Sequence, residues 1–192
     1  MHFIQKGQNT TQIFTDVLAS NLFFDYITVL GLNNVPDSCG SGTYCPDSTI
    51  NRASMAVFLV RSVVGDSFTF TQAPFFNDVP ATHPQFAYIQ KLRDLGVTNG
   101  CGNGNYCPSD PVTRGQMAAF IVRARLGVNF SQTFPFNDGQ PFADVDQGNI
   151  FFPHIQKLRE LGITTGCTAT TFCPNDLNTR GQMGAFMARG FF

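Results

Sequence analysis

In the stretch HPQFAYIQKLRDLG the apolar residues Phe86, Ile89, Leu92 and Leu95 recur at every third position, with Tyr88 beside them. That spacing lines one face of a helix. The same stripe returns as Ile155, Leu158 and Leu161. A second pattern, Met117, Phe120, Ile121 and Ala124, has the i, i+3, i+4, i+7 spacing of an amphipathic helix. Pro84 and Pro153 suit a first helical turn, and Gly96 and Gly162 suit a C-terminal stop. A turn rich in glycine and asparagine lies between the two helices. It holds two cysteines and what reads as an extended pair, Tyr106-Cys107.

This pattern occurs three times. FTDV begins at Phe14, FNDV at Phe76 and FADV at Phe142; CGSGTYCP, CGNGNYCP and CTATTFCP begin at Cys39, Cys101 and Cys167. INRASMAVFLVR, VTRGQMAAFIVR and NTRGQMGAFMAR close the units. Asp16, Asp78 and Asp144 stand 62 and 66 residues apart, and so do Arg52, Arg114 and Arg180. The spacing divides the chain into an extension over 1–12, units over 13–66, 75–128 and 141–192, and linkers over 67–74 and 129–140. In unit one, Gly31 comes three residues earlier than its apparent counterpart Gly96, which predicts a shorter first helix and a differently shaped turn. Two short helices cannot bury an apolar face alone, so the units must pack together. The expected fold is mainly α, with three helix–turn–helix repeats in a pseudo-threefold bundle.

Composition narrows the function. Charged residues make up 13% of the chain and the net charge is -1, with no run of Lys or Arg, which argues against a nucleic-acid surface. No stretch approaches the roughly 18 to 20 apolar residues of a membrane span. The N-terminal MHFIQKGQNTTQIF lacks an apolar signal-peptide core, so the sequence reads as a mature form or a piece of a longer protein. Asn9-Thr10-Thr11 and Asn129-Phe130-Ser131 match the glycosylation sequon. The 21 phenylalanines, with FNDGQPF, NIFF and a terminal GFF, leave a choice between filling the space between units and forming subunit contacts.

The cysteines form three local pairs, Cys39 with Cys45, Cys101 with Cys107 and Cys167 with Cys173. A zinc site needs about four ligands, and His2, His83 and His154 keep no fixed offset from the turns. Structural disulfides are expected, and with them an oxidising compartment. No metal, no cofactor and no catalytic arrangement is expected, and the histidines read as surface or cap residues. Thr113 with Gln116, and Thr179 with Gln182, fit the capping box, and Asn51 is a competent N-cap. Arg52, Arg114 and Arg180 then place a cation in the first turn, against the helix dipole. Two partners are open for it: the Asp of the same unit's F-x-D-V, or an anionic ligand that the guanidinium grips.

In order and in kind these motifs resemble the S-layer homology module, which usually comes as three tandem copies. The resemblance covers Phe14 to about Arg189. It implies a three-pronged helical bundle that anchors a surface protein to cell-wall polysaccharide, with grooves between the units. By resemblance, Arg52, Arg114 and Arg180, together with Asp16, Asp78 and Asp144, form the glycan-binding set, the arginines meeting acidic or pyruvylated sugar. The family's Trp is absent, its motif Glu is Ser54, Gln116 or Gln182, and the cysteine pair is not general in the family. The expected function is a non-catalytic, extracellular cell-envelope module that binds polysaccharide. The alternative is a structural subunit that polymerises with identical copies into a surface layer or filament.

Overall fold

The structure is a computed structural model that describes residues 11–137, 139 and 141–192. The Asn9 sequon, His2 and most of the N-terminal extension lie outside the described residues. Six helices follow in order: α1 (Phe24–Leu32), α2 (Arg52–Val64), α3 (Phe86–Asp94), α4 (Arg114–Leu126), α5 (Phe152–Glu160) and α6 (Arg180–Phe191). Among the described residues, extended pairing is confined to isolated bridges.

The second helix of each unit, α2, α4 and α6, packs against the other two and forms the centre. Met55 to Val60, Met117 to Val122 and Met183 to Ala188 are buried without interruption. The single-stripe expectation for these helices is therefore corrected: they are apolar all round because they are covered all round. The cover comes from a neighbouring unit. α3 lies on α2, α5 lies on α4, and α1 crosses the molecule to lie on α6, which closes the ring. These outer helices keep the stripe read from the sequence, with Phe86, Ile89 and Leu92, then Phe152, Ile155 and Leu158, facing inward.

Around the pseudo-threefold axis the residues two before each motif arginine are joined in a cycle. Ile50 N–H donates to Asn178 O at 3.0 Å, Asn178 N–H to Val112 O at 3.0 Å, and Val112 N–H to Ile50 O at 3.1 Å. Each unit thus holds both others before any side chain is counted.

The expected shortening of the first helix is corrected. α1, α3 and α5 each have nine residues. The helix runs through Gly31, and Asn34 takes the left-handed position (φ 54°) that Gly96 (73°) and Gly162 (69°) take in the other units. Asparagine tolerates that conformation better than other side chains. Counted from Asn34, unit one has the same length as the others. Tyr106-Cys107 is also not an extended pair, because Cys107 is left-handed (φ 59°), as are Cys45 (55°) and Cys173 (58°).

The segments between units are packed rather than loose. Phe68 lies against Tyr88, Phe70 against Phe86, Phe134 against His154 and Phe136 against Phe152. Much of the phenylalanine excess is spent here and in the core, where Phe24, Phe58, Phe76, Phe86, Phe120, Phe142, Phe152, Phe172 and Phe186 are buried.

Candidate functional site

Each unit's turn is held from two sides. Cys39–Cys45, Cys101–Cys107 and Cys167–Cys173 are disulfide-bonded. Inside each loop the F-x-D-V aspartate accepts two successive backbone N–H groups. Asp16 takes Tyr44 and Cys45 (2.8 and 2.6 Å), Asp78 takes Tyr106 and Cys107 (both 2.7 Å), and Asp144 takes Phe172 and Cys173 (both 2.7 Å). A carboxylate accepting two N–H groups is a strong clamp. In every turn it sits on the second cysteine, whose left-handed backbone costs energy for a non-glycine side chain.

The other face of that same peptide receives the motif arginine of the preceding unit. Arg52 Nε–H donates to Tyr106 O, Arg114 Nε–H to Phe172 O, and Arg180 Nε–H to Tyr44 O, all at 2.7 Å. The Asp–Arg ion pair within a unit is therefore corrected: Asp78 and Arg114 serve different turns. The helix starts are satisfied across the same interfaces. The N–H groups of Arg114 and Gly115 donate to Asp176 O and Pro174 O, and the other two helices repeat this. The side-chain caps form as well. Asn51 accepts from Ser54 N–H, and Thr113 with Gln116 and Thr179 with Gln182 make complete capping boxes. The dipole argument against a cation in the first turn is answered by geometry, since the guanidinium reaches off the helix to the neighbouring turn.

Tyrosine hydroxyls return the contact. Tyr106 OH donates to Arg52 O and Tyr44 OH to Arg180 O, both at 2.7 Å. Burial pushes both phenols well above their ordinary pKa. Phe172 has no hydroxyl to give to Arg114 O. Tyr106→Phe is expected to cost about 1 kcal/mol, because it removes a buried hydrogen bond that joins two units. Urea unfolding of the variant checks this, and Phe172→Tyr should add a comparable bond to Arg114 O at the interface of units two and three.

The motif arginines are at least 95% buried. Each guanidinium lies over two rings of the next unit: Arg52 over Tyr106 (4.7 Å) and Phe120 (5.3 Å), Arg114 over Phe172 (4.7 Å) and Phe186 (5.4 Å), Arg180 over Tyr44 (5.1 Å) and Phe58 (5.4 Å). Yet Arg52 and Arg114 each keep one terminal nitrogen, Nη2, buried and without a partner among the described residues. Burial draws the Arg114 pKa below its ordinary value, and Asp176 and Asp144 only partly offset this. Buried donors of a cation are normally paired.

Arg114 lines a groove of about 310 Å³ between units two and three, roofed by α1. Leu22, Phe23, Tyr26 and Phe186 give it apolar lining, and Gln182, Gly166 and Arg189 line it as well. Arg189 Nη2 donates to Tyr26 OH at 2.8 Å and stacks on that ring at 4.8 Å. The groove therefore offers two cations and several aromatic faces. The motif glycines belong to this arrangement: a Cβ on Gly181 would stand 2.5 Å from the Phe23 ring, and one on Gly115 2.5 Å from Phe151. This pairing joins distant units, so no local signal reveals it.

At the equivalent interface of Arg52, His154 of α5 faces Arg123 of α4. Burial first, and Arg123 second, pull the His154 pKa down to about 4. The expectation of a surface or cap histidine holds for His83, whose Nδ1 accepts from Gln85 N–H, and is corrected for His154, which packs on Phe134 at 5.1 Å. A folded pKa below the unfolded value means that the unfolded chain binds more protons between about pH 6.5 and 4. Stability is then expected to fall by about 2 kcal/mol over that window as pH drops, after discounting for partial exposure. Denaturant midpoints from pH 7 to 4 should show this slope, and His154→Phe should flatten it.

The S-layer homology domain family matches residues 75–118 and 141–183. An endoglucanase from a Bacillus species is 32% identical over 138 residues, 71% of this chain and 14% of the endoglucanase. An uncharacterized cell wall amidase of Bacillus anthracis is 30% identical over 166 residues, 86% of this chain and 29% of the amidase. An S-layer protein of Bacillus licheniformis is 27% identical over 178 residues, 91% of this chain and 19% of that protein. The chain thus spans less than a third of the length of these relatives. The matched segments lie within units two and three, and the likeness to S-layer homology domains and to S-layer and cell-surface proteins indicates the cell surface.

Proposed function

We propose that the chain is a non-catalytic anchoring module, that its first unit is a third S-layer homology repeat, and that its inter-unit grooves bind an acidic polysaccharide of the cell envelope. The observation that carries this is the pair of unpartnered guanidinium nitrogens on Arg52 and Arg114. A carboxylate on a sugar supplies the acceptor that each nitrogen lacks, with the planar geometry that a guanidinium matches. Phe23, Tyr26 and Phe186 give the sugar ring the apolar wall that the family's Trp would provide. The aspartates Asp16, Asp78 and Asp144 enter differently. Their oxygens are taken by the turn, so they support the site by fixing the peptide on which the arginine rests.

The relatives fit a portable module, since the endoglucanase and the amidase are named for activities while the S-layer protein is not. The reading of the chain as a polymerising subunit drew on the phenylalanine excess. The rings packed in the core and against the outer helices supply another use for it.

Co-sedimentation with envelope polysaccharide tests the anchoring reading. Arg52→Lys with Arg114→Lys keeps a cation at each site but removes the fork. Affinity is expected to fall by roughly tenfold or more, the equivalent of about 1.4 kcal/mol, with the circular-dichroism spectrum unchanged. Unchanged sedimentation of this variant would count against the reading.

A further inference from the structure

The third interface, between units three and one, is built from the same parts but filled differently. Arg180 has no unpartnered nitrogen. Its Nη1 meets the Asp37 carboxylate at 3.0 Å and its Nη2 donates to Asp37 O at 2.5 Å. The second carboxylate oxygen of Asp37 accepts from the Ser54 hydroxyl at 2.7 Å. With the register corrected at Asn34, Asp37 stands where units two and three have Asn99 and Thr165, and Ser54 where they have Gln116 and Gln182. Those glutamines turn their Oε1 back onto the helix caps. Asn99 and Thr165 are exposed, whereas the Asp37 side chain keeps 19% of its exposure.

The far end of this interface is neutralised as well. Arg61, the counterpart of Arg189 and Arg123, pairs with Asp66 at 2.6 Å, and Tyr88 OH donates to the same oxygen at 2.9 Å. Val128 stands at the matching position in unit two. Three substitutions confined to unit one, Asp37, Ser54 and Asp66, therefore act together on one interface.

We propose that the chain closes its own third groove: Asp37 holds both terminal nitrogens of Arg180, its carbonyl the Nη2 that Arg52 and Arg114 leave unpartnered and its carboxylate the Nη1 beside it, leaving two binding sites rather than three. This rests on the anchoring reading above. It also defines the ligand's seat, a carboxylate held by the terminal nitrogens of the motif arginine, with the third residue of the next unit's second helix alongside. An incoming anion at Arg180 must first displace Asp37 and meets its charge, so the third site should bind at least about tenfold more weakly than the other two.

The arginine side-chain signals in ¹⁵N–¹H spectra provide the test, with a methyl hexopyranoside carrying a 4,6-linked pyruvate ketal as the probe. In the unaltered chain the probe should shift Arg52 and Arg114 and leave Arg180 in place; in Asp37→Asn it should shift all three. Ser54→Ala, a milder change, should let Arg180 respond partially. Equal response of the three arginines in the unaltered chain would overturn the proposal, as would an unresponsive Arg180 in Asp37→Asn while the others respond. If no arginine responds in any protein, the anchoring reading fails, and the probe-free spectra decide the closure alone. The Arg180 terminal N–H₂ groups should rotate slowly and show separate signals, and the Nη1 group, which meets the carboxylate, should rotate faster in Asp37→Asn. Indistinguishable behaviour of the three guanidinium groups without probe refutes the closure.

Discussion

Asp78→Ala is expected to lower stability by about 3 kcal/mol, as two charge-assisted, half-buried hydrogen bonds that hold the turn are lost together. For a chain of this length that corresponds to a fall in melting temperature of about 10 °C. The size of the effect comes from position. The carboxylate holds the N–H groups of Tyr106 and Cys107, and Cys107 is held left-handed. The Tyr106 carbonyl is also what Arg52 of unit one grips. Loosening the turn in unit two therefore loosens the interface with unit one. Asp78→Asn should recover little, since the two N–H groups use separate oxygens and the amide sets a donor NH₂ against one of them. Thermal unfolding by circular dichroism measures both. A loss below about 1 kcal/mol for Asp78→Ala would show that the disulfide alone fixes the turn.

Arg114→Ala should cost more, about 4 kcal/mol. It removes the hydrogen bond to Phe172 O and the stacking between Phe172 and Phe186, and it leaves a void at a buried interface. Arg114→Lys should cost about half as much, because the ammonium can still reach one carbonyl but cannot stack as a plane. The comparison separates the two roles of this residue. Nε and the flat face hold the units together, and the terminal nitrogens are those that the proposed ligand would meet. A stability change under about 1 kcal/mol in Arg114→Ala would mean that the interfaces rest on the central helices alone. Urea denaturation gives both values.

Much of this was legible along the chain. The outer helices were legible because their apolar stripe is a local pattern, and the caps because Thr113 and Gln116 act within one turn of helix. The cysteine pairs followed from repetition. Unit one was misaligned because glycine served as the marker of the helix end, whereas Asn34 performs that role there. Cys107 was read as extended because a left-handed cysteine has no sequence signature; it is imposed by Asp78 and the disulfide. The partner of Arg114 could not be read either. The sequence offered an aspartate of the same unit or an external anion, and the bond goes to a backbone carbonyl of the next unit. Carbonyls are present at every residue, so composition never points to one. The enclosure of α2, α4 and α6 was hidden for a related reason: a helix swapped onto a neighbouring unit covers a face that looks exposed when each unit is read alone.

We propose that the Arg52 and Arg114 grooves hold a carboxylate of an envelope polysaccharide. The most direct measurement compares binding of the unaltered chain to that polysaccharide before and after chemical reduction of its carboxylates to alcohols. Losing the charge while keeping the sugar skeleton should weaken binding by roughly tenfold or more, the cost of leaving a buried guanidinium unmatched. Equal binding to the reduced and unreduced polymers would contradict the claim and leave the two arginines as structural ties alone.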